Sequence, residues 1–552
     1  MQKFRKNSFC SGDLLNLLKN AKEGDTVFLP RGQYFLTPES GTSFVCALSN
    51  SDGAPRLHAG ILLEGRKNLT LDGQGSTLLC HGQMTAIALL GCQNITLQNF
   101  IIDWDIPLTA EGTVLRSDDS HVDLWVDPEK FPFHILEDNL WFDGGDWSQK
   151  LHFWGHTEFD PVKGRLAPNR GDRFPPTRQE LLPGGEIRFT GDFARKVPTP
   201  GNILVLRHGD RIHPAILIHN CRNVTLQNVR IHGSGGLGIL AQFSDTLTFS
   251  HAELVPNHEK GRLFVGGHDD GIHLSANRGP ILIENCRFCG LMDDPINLHG
   301  IAAKLLKQLN GYTVLGSFMH PQSKGHTLWA RPGDTVAILN GDTMEEFQKL
   351  RVKHFRLLDE THFEIQFEEC ICRLHLQSCS SFSLENISST AALICRHNDF
   401  GPCRARGLLV TTPKKVIIED NIFSSSGAAI RIAGDVCTWY ESGRCQDVTI
   451  RNNVFADTCL QNNYQGGQGI ISISPELPKP CAALPCHRHI RIHGNTFHVS
   501  DPRLLYALCT RDLQFTENQI FNAADYSCPQ RPSVTLELCQ DCMVSDNQFI
   551  GF

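Results

Sequence analysis

The sequence has no apolar run approaching the ~20 residues that cross a bilayer as a helix, which excludes a helical membrane protein. It also has no basic excess. Against 59 Asp+Glu stand 51 Lys+Arg, a formal net charge of -8, where a nucleic-acid or anionic-membrane binder needs a basic footprint. The basic start, Met1 to Lys6, runs into Asn7 and Ser8 without an apolar segment, so no secretory signal is read in it. The expectation is a cytoplasmic protein, with export after removal of a signal as the alternative. Helix-period stretches are scarce too. One amphipathic segment, Asp13 to Lys22, reads as a helix capping one end, with Gly24 to Pro30 as the first strand.

Cysteine is plentiful. The 21 residues are an odd number, so pairing all of them within one chain is impossible. Many stand beside a turn Asn, as in Gly91-Cys92-Gln93-Asn94, Asn220-Cys221-Arg222-Asn223 and Asn285-Cys286. There a thiol acts as a small buried hydrophobe, which suits a reducing compartment. Close pairs occur at Cys286/Cys289, Cys370/Cys372 and Cys539/Cys542, but no second half with zinc spacing follows them.

At roughly 150 residues per domain, 552 residues suggest three to four domains unless one repeat runs through the chain. A repeat does run through it. Short strands ending in Asn and an apolar residue recur as Asn94-Ile-Thr-Leu-Gln-Asn99, Asn223-Val-Thr-Leu-Gln-Asn228, Val416-Ile-Ile-Glu-Asp-Asn421-Ile-Phe423 and Val448-Thr-Ile-Arg-Asn-Asn453-Val-Phe455. From Asn398 the steps between equivalent Asn residues are 23, 32, 42, 23 and 29. A minimum step with additions at one corner, and no crossover helices, marks a solenoid of strands. The fold class expected is all-β: a right-handed parallel β-helix whose turn Asn residues adopt αL geometry and stack into ladders. The repeat vanishes twice, in stretches of alternating strands with Gly and Pro turns that read as two inserted small antiparallel β-barrels. The expected division is 1–110 for the cap and first coils, 111–207 for the first insertion, 208–304 for central coils, 305–376 for the second insertion and 377–552 for the last coils.

Acidic and imidazole residues concentrate on two adjacent coils, Asp269-Asp270-Gly-Ile-His273-Leu274 and Asp293-Asp294-Pro-Ile-Asn297-Leu298-His299-Gly300. Aligning Asp270 with Asp294 places the motifs one coil apart. Ile272, Leu274, Ile296 and Leu298 then point inward, and His273, Asn297 and His299 point outward. Asp270, Asp293 and Asp294 can converge on one exterior patch, where like-charge repulsion raises at least one pKa. A raised and a normal carboxyl side by side suit glycoside hydrolysis, with one acid for the leaving oxygen and one base for water. Backbone capping by Asp and a structural Ca²⁺ site are the competing readings.

These motifs, with Arg404-Ala-Arg-Gly-Leu-Leu-Val-Thr-Thr412, Gly434-Asp435 and Trp439-Tyr-Glu-Ser-Gly443, resemble glycoside hydrolase family 110 over nearly the whole chain. The resemblance implies an exo-acting α-1,3-galactosidase on blood-group-B-type or linear α-1,3-galactosyl ends, inverting, with no metal or cofactor. It implies Asp293 as general acid and Asp270 with Asp294 as the groups that hold and deprotonate water. It also implies an oligosaccharide or glycoconjugate partner, neither nucleic acid nor membrane, and a homodimer. Inversion calls for acid and base carboxyls about 6.5–9.5 Å apart. Further substrate-binding candidates are Asp269, His273, Asn297, His299, Arg404, Arg406, Trp439 and Glu441. Arg404 and Arg406 either donate to sugar hydroxyls or form surface ion pairs. Trp439 can stack on galactose and Glu441 can accept a hydroxyl, while Asn297 and His299 can orient the acids. The rivals are a polygalacturonase-like pectin hydrolase, for which a net charge of -8 is unhelpful, a non-catalytic carbohydrate-binding solenoid, and a Ca²⁺-dependent lyase.

Overall fold

The computed structural model describes residues 8–51, 54–152, 157–168, 176–267, 269–372, 380–462, 464–523, 528 and 530–552. The start of the chain, on which the expectation about export rests, lies outside these residues, as does the boundary at 376. Among the described residues no helix is long and apolar enough to cross a membrane.

The chain coils into a parallel β-helix whose walls are a 22-stranded and a 12-stranded sheet. Along the 12-stranded wall the strands Ile239–Gln242, Ile272–Ser275, Ile296–His299, Leu408–Thr411, Ile430–Ile432, Ile471–Ile473 and Arg503–Leu508 pair in parallel, one per coil. Alternation sends every second side chain inward. Ile239, Ile272, Ile296, Leu408, Ile430, Ile471 and Leu505 therefore form one buried row. Each side chain so buried stabilises the fold by about 1.5–3 kcal/mol. On another wall Phe288, Phe400, Phe423, Phe455 and Phe497 stack ring on ring, with centroids 4.4–5.3 Å apart.

Two kinds of Asn hold the corners, and the sequence had merged them. Asn68, Asn94, Asn223 and Asn228 take positive φ, as expected. In the later ladder the left-handed residue is instead the one before the ladder Asn: His397, Asp420, Asn452, Gly494, Glu517 and Asp546. Along the ladder of Asn residues 398, 421, 453, 495, 518 and 547, each of the first five donates Nδ2 to the next Oδ1 at 2.9–3.0 Å, which also accepts a backbone N–H. These bonds offset the cost of burying the side-chain amides. The cysteines described are free, and several point a thiol at a neighbouring coil's carbonyl, such as Cys92 at Leu63 O and Cys221 at Leu89 O.

The capping helix runs Ser11–Asn20, two residues ahead of its sequence position, and buries Leu14 and Leu18 on one face. The following strand is shorter than expected, Thr26–Phe28. The first excursion holds a seven-stranded antiparallel sheet, from Thr109–Ser117 to Ile203–Arg207, and a three-stranded sheet. The second leaves the coil directly after Ile296–His299 and closes a six-stranded barrel, from Ala302–Gln308 to Phe382–Asn386.

His81 ties the first excursion to the coil, its Nδ1 2.8 Å from Asp105 Oδ2 and its Nε2 2.7 Å from Asp146 Oδ1. The hydrogen bond to Asp105 is the main cause that pushes its pKa up to about 9, against an ordinary value of about 6.5. A raised folded-state pKa means that the contribution is whole below about pH 6.5 and is lost as pH rises through about 9. Thermal unfolding of the wild type should therefore weaken between pH 7 and 10 more than that of His81→Gln. Parallel curves would show that the clamp carries no charge.

Candidate active site

The site is built at the corner before two successive outer strands. Gly271 N–H donates to Asp294 O at 2.9 Å and Ile272 N–H to Pro295 O at 2.8 Å, locking the coils in the register that the 24-residue step demands. A Cβ on Gly271 would stand 2.6 Å from Pro295 O, so the corner admits glycine alone at this approach. Asp270, Asp293 and Asp294 meet there, one oxygen from each lying within 4.8 Å of the others. That bound is on the nearest oxygens of the three side chains and does not measure the separation of acid and base carboxyls.

Each carboxylate has its own partner. Asp294 is buried and faces Arg406: its Oδ1 accepts from Arg406 N and Nε at 3.0 Å each, and its Oδ2 lies 2.7 Å from Nη2. Asp270 Oδ2 lies 2.7 Å from His273 Nδ1, and its Oδ1 accepts Asp294 N–H at 3.2 Å. Asp293, only partly buried, accepts the Tyr464 hydroxyl at 2.8 Å. Burial pushes the Asp270 carboxyl well above the carboxylate range, Asp293 adds to this and Arg211 opposes it. Burial also pushes Asp294 up, to about 7, with the Arg406 guanidinium pulling it back. Burial and Asp293 raise the Tyr464 hydroxyl well above its usual value, so it stays a donor. Among the described residues this trio is the one acidic cluster close enough to share a cation. Arg406, His273 and Tyr464 already engage its oxygens, an arrangement that suits proton transfer.

The carboxylates line a cleft of about 360 Å³, within the range of small-ligand sites. Asn297, Arg406, Trp439 and Glu441 line it as well. Trp439 is 44% exposed and packs against His320 of the second insertion, ring centroids 4.4 Å apart and planes tilted by 32°, so the second insertion rims the cleft. Asp435 accepts the N–H groups of Cys437, Thr438 and Trp439 and so shapes the Trp439 loop.

Other expected residues lie elsewhere. His273 and His299 do point outward from the β-helix, yet both are buried beneath the cleft, because outward from a coil is not outward to solvent once other segments cover it. Asp269 is buried beside Arg211 Nε at 2.7 Å. Arg404 lies behind the cleft, donating to Met292 O at 2.6 Å with its guanidinium 4.9 Å from the Tyr464 ring centroid. Arg406 lines the cleft and forms, instead of a surface pair, half of a buried ion pair with Asp294.

Several lining residues escaped sequence reasoning, among them Asn50, Arg211, Arg431, Tyr464 and Glu476. Arg431 had a signal. It falls in register with Leu409, Asn297 and His273 on the outward row, an Arg between two inward Ile.

Comparison with known proteins places the chain in a family. Residues 110–204 match the GLAA-B beta-barrel domain I and residues 313–373 the GLAA-B beta-barrel domain II. A protein named alpha-1,3-galactosidase B from Bacteroides thetaiotaomicron is 38% identical over 537 residues, covering 96% of this chain and 86% of its own. The chain belongs to the α-1,3-galactosidase family. Other members include an alpha-1,3-galactosidase A from Bacteroides fragilis, 33% identical with 95% and 86% covered, and an alpha-1,3-galactosidase B from Parabacteroides distasonis, 30% identical with 93% and 85% covered. Among solved structures an exopolygalacturonase from Thermotoga maritima aligns over 100% of this chain and 93% of its own, at 11% identity and TM-score 0.43.

Proposed function

We propose that this member of the family is an exo-acting glycosidase that releases terminal α-1,3-linked galactose with inversion, from blood-group-B-type or linear α-1,3-galactosyl ends. The observation that carries the reading is the convergence of three carboxylates with three different partners on the floor of one cleft.

Asp293 is the general acid. It is the most accessible of the three and lines the cleft, with the Tyr464 hydroxyl holding Oδ1. Asp270 and Asp294 hold the water from the neighbouring coil. Asp294 is fixed as a carboxylate by Arg406, which leaves proton uptake to Asp270. Trp439 offers a ring for the apolar face of galactose, and Asn297 Oδ1, buried with no hydrogen-bond partner, can accept a sugar hydroxyl. The barrel at Trp439 and the N-terminal turn at Asn50 stand at the sides of the cleft, which favours a chain end over mid-chain binding.

Galactose-α-1,3-galactose incubated with the protein and followed by NMR should show β-galactose first. Initial α-galactose would overturn inversion, and no galactose at all would overturn the galactosidase reading. Running the fucosylated and the linear substrate side by side sets the preference. Because Arg406, His273 and Tyr464 occupy the carboxylates, the rate should be unchanged by EDTA. A loss restored by a divalent cation would instead assign the trio to a metal.

A further inference from the structure

We infer that His273, backed by His299, shares a proton with Asp270, so that the water-activating base is a buried Asp270–His273–His299 relay and not a lone carboxylate. The inference rests on the hydrolase reading above and adds a positioning pair to it.

Counting hydrogens leads there. His299 Nδ1 lies 2.5 Å from Gly300 O, and a carbonyl only accepts, so Nδ1 carries a hydrogen. His299 Nε2 and His273 Nε2 are 2.9 Å apart, a distance at which two ring nitrogens share one hydrogen. His273 Nδ1 and Asp270 Oδ2, 2.7 Å apart, share another. Ser49 Oγ, 3.4 Å from His273 Nε2, is a weaker neighbour. Three hydrogens spread over one carboxyl and two imidazoles leave the triad neutral, whichever side of the Asp270–His273 contact holds the proton. One of the three clustered negative charges is thereby removed, which relieves the repulsion between Asp270, Asp293 and Asp294.

Burial decides where the proton rests. Both rings are essentially inaccessible, and desolvation pushes His273 down to about 4, so the proton sits on Asp270. The charged groups around His273 are Asp270, Asp269, Asp293, Glu441 and Arg211, with Glu441 Oε1 3.9 Å from His299 Nε2. In the reaction the water oxygen bonds to the anomeric carbon, and the glycosidic bond breaks with its electron pair going to the leaving oxygen. That oxygen takes the Asp293 proton. The water gives a proton to Asp270 Oδ1 while the Oδ2 proton passes to His273 Nδ1. The triad is then an imidazolium beside a neutral acid, and its surplus proton returns to Asp293 through solvent after product leaves.

His273→Gln tests this. Without the imidazole the base is Asp270 alone, which burial and Asp293 hold protonated to higher pH. The acidic limb of kcat/KM should move up by at least about one pH unit, with kcat down about 100-fold and KM little changed. A kcat near wild type, or a loss with an unmoved pH profile, would overturn the relay. ¹⁵N-histidine NMR of the wild-type protein needs no variant: His273 should appear as the Nε2–H and His299 as the Nδ1–H tautomer, and any other pairing sinks the proposal. If wild type releases no galactose the hydrolase reading falls, while the tautomers still test the shared proton.

Discussion

Asp293→Asn should lower kcat on galactose-α-1,3-galactose by about 100- to 10,000-fold, the usual contribution of a general acid, with galactose binding retained. The substitution keeps shape and the Tyr464 contact, since an amide oxygen accepts the hydroxyl that Asp293 Oδ1 accepts at 2.8 Å. What it removes is a transferable proton. The loss should depend on the leaving group. An aryl galactoside whose phenol leaves without protonation should be hydrolysed far closer to the wild-type rate than the disaccharide. Asp294→Asn and Asp270→Asn should lose comparable activity on both substrates, because a base is needed whichever group leaves. Equal loss on both substrates for Asp293→Asn, with a leaving-group-dependent loss for Asp294→Asn, would exchange the roles of the two neighbours.

That the two coils could be aligned at all is a property of this fold. A β-helix turns a fixed step in sequence into vertical contact, so Asp270 and Asp294 were legible as neighbours from 24 residues of spacing and the Ile-x-Leu that follows each. Arg431 was legible by the same rule, through the next registers of the outward row. The same rule says nothing about residues that reach the cleft from outside the periodic frame. Tyr464 sits in the 42-residue step between Asn453 and Asn495, where the added chain has no register. Arg211 follows the first excursion and Asn50 lies in the N-terminal turn before the coils settle. Nor could alternation tell exposed from covered. His273 and His299 alternate outward as read, yet Ser49 and Glu441, from segments far along the chain, lie against them. Burial by a remote segment is a tertiary fact, and it changes their role from sugar contacts to a pair acting through Asp270.

Arg406→Met should destabilise the protein by about 3–5 kcal/mol, the cost of leaving one member of a buried ion pair uncompensated. Arg406 and Asp294 are both buried, and the carboxylate has three contacts to this one residue, through N, Nε and Nη2. With the guanidinium gone, Asp294 keeps a single backbone N–H, and its charge is no longer matched. Burial, which already pushes its carboxyl up to about 7, then dominates, and the residue takes up a proton at neutral pH. Activity should therefore fall with stability, for a protonated Asp294 cannot help to hold water. The two losses separate in the double variant Arg406→Met/Asp294→Leu. Replacing both charges by apolar groups of similar volume should restore most of the stability, as for other buried pairs, and none of the activity. A coupling measured by this cycle in chemical denaturation distinguishes the pair from the alternative role of Arg406 as a sugar ligand. In that case Arg406→Met would unfold like wild type and raise KM alone. The pair thus favours an ionised Asp294 beside Asp270, whose carboxyl burial pushes well above the carboxylate range.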